Sequence, residues 1–230
     1  MNTRELVDYI FELRAAPLSE SCLHGFQTCP RFKAFAYEYR NKLRRKVRGA
    51  QDPDALAAIW SEFSLAWWLL QEQRFHVLYE PALKDKRKGP DFTARFKEQI
   101  VFHIEVTRVR SVCEQNAKLT GIVCGKLFQL PAGAINLLVI VTDQLLPKDM
   151  DVASLLQRAD SKEEEYFLKQ GFVSSRGFLR YYNRLSGVLL RTEDASADVS
   201  RLLWLNVRAT HPLPSDLRRI LETLPFVDRL

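Results

Sequence analysis

The stretch Gly89-Pro-Asp-Phe-Thr-Ala-Arg-Phe96 is followed closely by Ile100-Val-Phe-His-Ile-Glu-Val-Thr-Arg108. In both runs, aromatic and β-branched residues alternate with polar ones, which is typical of half-buried strands. Residues 97–99 remain between the runs and are short enough for a turn. The sequence therefore predicts an antiparallel β-hairpin over these residues.

The register of this hairpin follows from the side-chain period of two, because opposed residues on antiparallel strands point to the same face. A turn centred on Glu98 produces one apolar face, which pairs Phe92 with Ile104, Ala94 with Phe102 and Phe96 with Ile100. The other face is polar and collects Asp91, Thr93, Arg95, His103, Glu105 and Thr107. We expect the apolar face to belong to the core.

Two carboxylates meet on the polar face, because the same register sets Asp91 opposite Glu105. Their Cβ atoms are expected roughly 4.5–5.5 Å apart, where like charges destabilise a sheet unless something compensates them. Mg²⁺ and Mn²⁺ prefer oxygen ligands, and Mg²⁺ commonly takes only one or two protein carboxylates. The pair thus predicts a divalent-cation site.

Alternatively, Asp91 merely begins a strand after a Gly-Pro turn. Glu105 is then a solvated residue that pairs with Arg95 or His103.

The length of 230 residues and the hydrophobic content of 47% suffice for one large domain with its own core. No apolar run reaches the ~18 residues of a membrane helix, and the first residues lack the apolar stretch of a secretory signal. We therefore expect a cytoplasmic protein with no membrane partner.

The 4 cysteines form no CxxC pair. This argues against a zinc ribbon or a disulfide framework and predicts buried, reduced thiols.

Positive charge is unevenly placed along the chain, whose formal net charge is +6. The first cluster, the basic segment (residues 31–48), contains Arg31, Lys33, Arg40, Lys42, Arg44, Arg45, Lys46 and Arg48. The second cluster immediately precedes Gly89 and contains Lys84, Lys86, Arg87 and Lys88. Such clusters attract polyanions by neutralising phosphates. Either cluster alone could instead be a solubilising surface, but the position of the second beside the carboxylates favours the polyanion.

Hydrophobic periodicity and helix-end signals predict the remaining elements. Helices are expected over residues 3–15, 30–48, 54–73, 113–130, 150–170 and 215–224, with a polar loop at 17–25. Further strands are expected over 75–83, 135–142, 185–191 and 202–207. The run at 135–142 is almost wholly apolar, which suits a central strand covered on both faces. The crossover that precedes it is long enough to make it parallel to the second hairpin strand.

Together these elements predict an α/β fold with a central mixed β-sheet of four or more strands flanked by helices. We expect an N-terminal helical basic extension over residues 1–50 and a core over 51–145. Residues 146–230 are then a C-terminal α/β extension that completes the same domain.

The order of elements and two short motifs resemble the PD-(D/E)XK nuclease superfamily, which has the restriction-endonuclease-like fold. The core of that family is a helix, a three-stranded meander, a helix and a fourth strand, and the matching part here spans about residues 54–143. The family places an acid on the second strand and Glu-x-Lys on the third. Asp91, preceded by proline, and the run Glu105-Val-Thr107 stand at those positions. Glu62 matches an additional acid on the preceding helix.

This resemblance implies a metal-dependent nuclease that hydrolyses phosphodiester bonds of nucleic acid, with DNA as the expected partner. It implies Mg²⁺ or Mn²⁺ as the cofactor, held by Asp91, Glu105 and Glu62. His103 could contact phosphate or pair with a carboxylate, or it is simply structural. The expected nucleic-acid-binding residues are Arg40, Lys42, Arg44, Arg45, Lys46, Lys86, Arg87 and Lys88, which would grip the backbone without reading its sequence. Many relatives pair two sites, so a homodimer is one expected assembly.

The chain departs from the family motif at Thr107, where the family usually has a lysine. A threonine hydroxyl can hold a water molecule but supplies no positive charge. Lys118, Ile122, Lys126 and Gln129 share one face of the predicted crossover helix. Lys126 is therefore the candidate for a catalytic lysine that has migrated, unless it is simply a solvated helix residue. Gln129 also matches a polar position on that helix in relatives.

Two alternatives remain open at the level of the sequence. In the first, the chain is a catalytically inactive nuclease-like domain that acts as a nucleic-acid-binding or scaffold module, as the departure at Thr107 suggests. In the second, the polar face of the hairpin is merely solvated, and the chain is another kind of enzyme or an interaction protein.

Overall fold

The computed structural model describes residues 1–12, 16–81, 89–109, 116–142, 152–192 and 201–225. The fold is α/β and contains a mixed β-sheet flanked by helices, as the sequence predicts. The chain divides into two units, Met1–Tyr79 with Leu224–Leu230, and Glu80–Thr223. The domain boundaries expected near residues 50 and 145 stay a prediction. None of the described helices is both long and apolar enough to cross a membrane.

The described part of the first unit is mainly helical. Its elements are α1 (Thr3–Phe11), α2 (Ala16–Thr28), α3 (Pro30–Glu38), α4 (Arg40–Gly49), α5 (Pro53–Leu70) and strand β1 (Phe75–Tyr79). Helix α5 is capped by Asp52, whose side chain accepts a hydrogen bond from the Ala55 amide at 2.7 Å. From Ile59 to its end the helix is buried except at Glu62, and this buried part includes Trp60 and Trp67. This confirms the buried helix predicted over residues 54–73.

The polar loop predicted at residues 17–25 is wrong, because these residues belong to helix α2. Pro17 is the second residue of this helix, where a missing backbone N–H costs nothing because the first turn has no intrahelical acceptor. Gly25 lies where a Cβ atom would come within 3.0 Å of the Phe32 ring and 3.1 Å of the Trp67 ring. The glycine therefore permits close packing rather than a turn.

The basic segment is helical as predicted, but it forms two helices instead of one. Helix α3 ends and α4 begins around Tyr39, whose backbone is non-helical at φ −95° and ψ 10°. Pro30 stands at the first position of α3 and Gly49 at the last position of α4. Both ends therefore agree with the sequence signals, and only the interruption was not predicted.

The second unit contains the predicted hairpin, formed by β2 (Phe92–Phe96) and β3 (Ile100–Val109). Its register is the predicted one, with Phe92 opposite Ile104, Ala94 opposite Phe102 and Phe96 opposite Ile100. Lys97 and Glu98 adopt positive φ values of 50° and 60°, which close the tight turn. The apolar face is buried as expected, since Phe92, Ala94, Phe96, Phe102 and Ile104 are all at most 1% exposed.

Three further strands extend this sheet, β4 (Ile135–Thr142), β5 (Gly187–Thr192) and β6 (Arg201–Leu205). In the second unit the strand order is β2-β3-β4-β5-β6. Strand β4 is parallel to β3, as predicted, and β5 is parallel to β4, while β6 is antiparallel to β5. The second unit thus contains a mixed sheet in which β4 is central and buried.

Helices α6 (Asn116–Leu127), α7 (Ser154–Asp160), α8 (Glu164–Lys169), α9 (Ser175–Tyr182) and α10 (Ser215–Thr223) complete the described second unit. The single helix predicted over residues 150–170 is wrong, because α7 and α8 are separate and Lys162 lies between them at a positive φ of 54°. Helix α9 was not predicted. Side chains from α6 to α9 form one buried cluster with Leu138 and Ile140 of β4.

The thiols agree with a reduced protein. Cys22, Cys29 and Cys124 are free and buried, as predicted, while Cys113 lies outside the described residues. Burial raises the pKa of Cys124 to about 12, which disfavours the nucleophilic thiolate at neutral pH.

Candidate active site

Asp91 stands just before strand β2 and is almost completely buried, with 5% of its surface exposed. Its Oδ2 accepts a hydrogen bond from the backbone N–H of Val106 at 2.8 Å. The last backbone pair of the hairpin is Phe92 with Ile104. Beyond this pair, the Asp91 side chain takes over as the hydrogen-bond partner of the β3 backbone. This bond fixes the carboxylate next to the residue that follows Glu105.

Glu105 lies in the middle of β3 and is 1% exposed. Its backbone partner on β4 is Leu138, and partners in register project from the same face of a sheet. Leu138 belongs to the cluster that contains Leu119 and Val123 of α6. The Glu105 carboxylate is therefore buried on the sheet face that α6 covers.

Lys126 reaches this carboxylate from α6. Its Nζ donates a hydrogen bond to Glu105 Oε1 at 2.9 Å, and its side chain is 22% exposed. The structure thus pairs Lys126 with Glu105, and it binds Asp91 to the backbone of Val106, the residue that follows Glu105. Burying an ionised carboxylate is costly unless it is paired, so this ammonium contributes directly to the stability of the site. The catalytic role of Lys126 stays a prediction.

Two further polar residues of β3, His103 and Thr107, lie two positions before and after Glu105 on the same face of the strand. Thr107 is half-buried and follows Glu105 on the same face. His103 precedes Glu105 on that face, and its Nδ1 lies 2.8 Å from Thr93 Oγ1 across the hairpin. Burial lowers the pKa of His103, which favours its neutral form at pH 7. In that form the imidazole holds Thr93 and adds no charge to the site.

Gln129, the second polar residue predicted on the crossover helix, lies beyond the end of α6. The helix ends at Leu127, and the backbone N–H of Gln129 donates to the Lys126 carbonyl at 3.0 Å in the turn that follows. Gln129 is exposed. The side chain of Lys118, on the same predicted face, lies outside the described residues.

Glu62, the third expected acid, belongs to α5 of the first unit. Its carboxylate accepts hydrogen bonds from Lys46 Nζ at 2.7 and 3.0 Å and from the Tyr79 hydroxyl at 2.5 Å. Two partners of the acids were not predicted: the Tyr79 hydroxyl, which binds Glu62, and the Val106 amide, which binds Asp91. For the Val106 amide, the only signal in the sequence was its position directly after Glu105. The role of Glu62 as a metal ligand stays a prediction.

Part of the basic segment is engaged by contacts within the chain. Arg44 and Arg48 both bind Glu12, Arg48 through its Nη2 at 2.5 Å from Glu12 Oε1. These two guanidinium groups lower the pKa of Glu12 to about 2. Lys42 donates to the Tyr79 carbonyl at 3.3 Å. The positive charge of the segment is thus less available to a polyanion than its composition suggests.

Other members of the predicted nucleic-acid surface differ in their surroundings. Arg40 lies over the Tyr37 ring with its Cζ 4.3 Å from the ring centroid, and it donates to the Tyr37 carbonyl. Arg45 is exposed. Lys86, Arg87 and Lys88 lie outside the described residues. Among the predicted contacts that are described, Arg45 therefore offers the most accessible charge.

Asp91 and Glu105 offer carboxylate oxygens, the ligand type that a small, hard divalent cation prefers. Within the described ranges, no group of three or more His, Cys, Asp or Glu side chains is arranged to hold a metal. Mg²⁺ does not require such a group, because it usually keeps several waters and binds only one or two protein carboxylates. Asp91 and Glu105, both buried and both oxygen donors, supply that number.

Comparisons with protein-family models, with curated proteins and with solved structures found no match for this chain.

Proposed function

We propose that this protein is a divalent-cation-dependent nuclease that hydrolyses phosphodiester bonds of nucleic acid, with DNA as the first substrate to test. The supporting observation is the 2.9 Å contact between Lys126 Nζ and Glu105 Oε1. It supplies an ammonium group beside the Glu105 carboxylate although position 107 is a threonine. The element order and the two acid positions that resemble the PD-(D/E)XK superfamily support the same proposal.

Each residue of the site has a distinct role in this proposal. Asp91, anchored by the Val106 amide, and Glu105 would hold Mg²⁺ or Mn²⁺. When bound, such a cation lowers the pKa of a coordinated water and offsets negative charge that develops at phosphorus. Lys126 supplies a fixed positive charge beside Glu105 for the same transition state, which a hydroxyl cannot do. Thr107 orients water by hydrogen bonding.

A second candidate function is an inactive nuclease-like module that binds nucleic acid. It is favoured by one observation, because Thr107 stands where the resemblance implies a lysine. The engagement of Arg44 and Arg48 by Glu12 weighs against strong binding of a polyanion. The two candidates differ in whether the protein cuts what it binds.

The test is incubation of the purified protein with plasmid, linear DNA, single-stranded DNA and RNA in Mg²⁺ or Mn²⁺. The variants are Asp91→Asn, Glu105→Gln and Lys126→Met, which keep side-chain size but remove charge. Lys169→Met is the matched control, because Lys169 pairs with Glu165 on an exposed surface of α8. We expect each site variant to lose cleavage by on the order of 100-fold or more and the control to cut normally.

Cleavage that survives both Asp91→Asn and Glu105→Gln would refute the proposed site. Salt-dependent binding without any cleavage by the wild type would support the inactive module instead. If no nucleic acid binds even at low salt, both candidates fail.

A further inference from the structure

Asp91 and Glu105 are more deeply buried than Lys126, which is paired with Glu105. Asp91 and Glu105 are 5% and 1% exposed, respectively, and the Lys126 side chain is 22% exposed. Two ionised carboxylates in this environment need positive charge to offset their lost hydration. The ammonium at 2.9 Å from Glu105 provides one such charge. The described site thus combines two acids with a cation that is part of the chain.

A divalent cation held by Glu105 would serve the same electrostatic need as Lys126. Two positive groups that share one buried carboxylate repel each other, and this repulsion is stronger in a poorly solvated site than in water. Binding of the metal therefore weakens the benefit of the ion pair, and the ion pair weakens binding of the metal.

We propose that Lys126 is a built-in counter-ion of the site, which stabilises the metal-free protein and lowers its affinity for divalent cations. This inference rests on the proposed function, because it takes Asp91 and Glu105 as the metal ligands. Its consequence is a site that stays folded without metal and exchanges its cation readily. Without Lys126 the folded state would depend more strongly on the metal, because a ligand that binds only the folded state stabilises it in proportion to its affinity.

The test measures Mn²⁺ binding by calorimetry and thermal unfolding in EDTA and in Mn²⁺. The variants are Lys126→Met, Lys126→Arg, Glu105→Gln and the double variant Glu105→Gln/Lys126→Met. We expect Lys126→Met to unfold at a lower temperature than wild type in EDTA and to bind Mn²⁺ roughly tenfold more tightly. Its melting temperature should therefore rise more on addition of Mn²⁺ than that of the wild type.

The other variants separate the charge from the packing of Lys126. Lys126→Arg keeps the charge and should resemble the wild type in both measurements. The double variant removes both partners, so it should melt in EDTA at a higher temperature than Lys126→Met and should not bind Mn²⁺. Lys169→Met, the exposed control on α8, should leave the affinity for Mn²⁺ unchanged.

The inference is overturned if Glu105→Gln abolishes Mn²⁺ binding but Lys126→Met binds Mn²⁺ no more tightly than the wild type. That result would leave the proposed nuclease site standing. It is also overturned if Lys126→Met is unfolded in EDTA and does not fold when Mn²⁺ is added. If neither the wild type nor Lys126→Met binds Mn²⁺, the proposed function itself fails, and the inference fails with it.

Discussion

At the scale of single residues, two glutamates depend on cations that are distant in sequence. Glu105 is paired with Lys126 in a buried site, whereas Glu12 is paired with Arg44 and Arg48 near the surface. The buried pair is the more consequential one, because an unpaired buried charge costs several kcal/mol and an exposed pair contributes little. Local sequence patterns do not reveal either pairing, because the cations lie on helices far from the glutamates in sequence, Arg44 and Arg48 on α4 and Lys126 on α6.

The pairing of Glu12 makes a prediction about pH. Its pKa is about 2 in the folded protein, against an ordinary value of 4.5. Because the pKa of Glu12 is lower in the folded than in the unfolded protein, its ionised carboxylate stabilises the fold fully when the pH is above the ordinary pKa. This contribution is lost as the pH falls toward the pKa of the folded protein. We expect Glu12→Gln to melt at a lower temperature than wild type at neutral pH, with the difference shrinking as pH falls from about 4.5 to about 2.

The measurement is thermal unfolding of both proteins across this pH range at low ionic strength, because salt screens exposed pairs. A difference that stays constant down to the acid end of the range would show that packing of Glu12, rather than its charge, stabilises α4 against α1.

At the scale of elements, one glycine in a helix has open space around it, whereas one glycine in the sheet is required by close backbone packing. Gly125 lies in α6, and a Cβ atom added there would meet nothing within 4 Å. Gly187 begins β5, and a Cβ atom there would lie 2.8 Å from the backbone oxygen of Trp204 on β6. In β5 the glycine permits a close approach of backbones that no larger residue allows.

These two positions allow one chemical change to be tested in two environments. Gly125→Ala should raise the free energy of unfolding by up to about 1 kcal/mol, because alanine is the better helix former. Gly187→Ala should lower it by roughly 1–3 kcal/mol, because the added methyl group meets backbone that cannot move aside. Urea unfolding monitored by circular dichroism measures both. Equal effects of the two substitutions would contradict this account of β5.

At the scale of the whole molecule, the net charge of +6 overstates what a polyanion can use. Arg44 is bound to Glu12 and Lys46 to Glu62, whereas Arg45, between them in sequence, is exposed. Helical geometry accounts for this difference, since consecutive residues of α4 point in different directions. The accessible charge is therefore a property of the folded chain and not of its composition.

This distribution predicts how single arginines affect binding of DNA. Arg45→Ala should weaken binding and reduce the slope of log K against log salt by about 1, as expected when one phosphate contact is lost. Arg44→Ala, the adjacent control, should change the slope less, because its guanidinium is held by Glu12. Fluorescence anisotropy at several salt concentrations measures the slope. A larger effect of Arg44→Ala would show that the ion pair with Glu12 opens when DNA binds.

The sequence by itself determined the hairpin, its register and the parallel strand β4, because a side-chain period of two and an unbroken apolar run are local signals. It could not predict α2, since Gly25 reads as a breaker until its contact with Phe32 and Trp67 is known. It selected Asp91, Glu105 and Lys126 as candidates. Only the tertiary structure decided that Lys126 meets Glu105 and that Glu12 and Glu62 neutralise part of the basic segment. The reason is physical: backbone patterns depend on neighbours in sequence, whereas charge pairing depends on distances that exist only after the helices have packed.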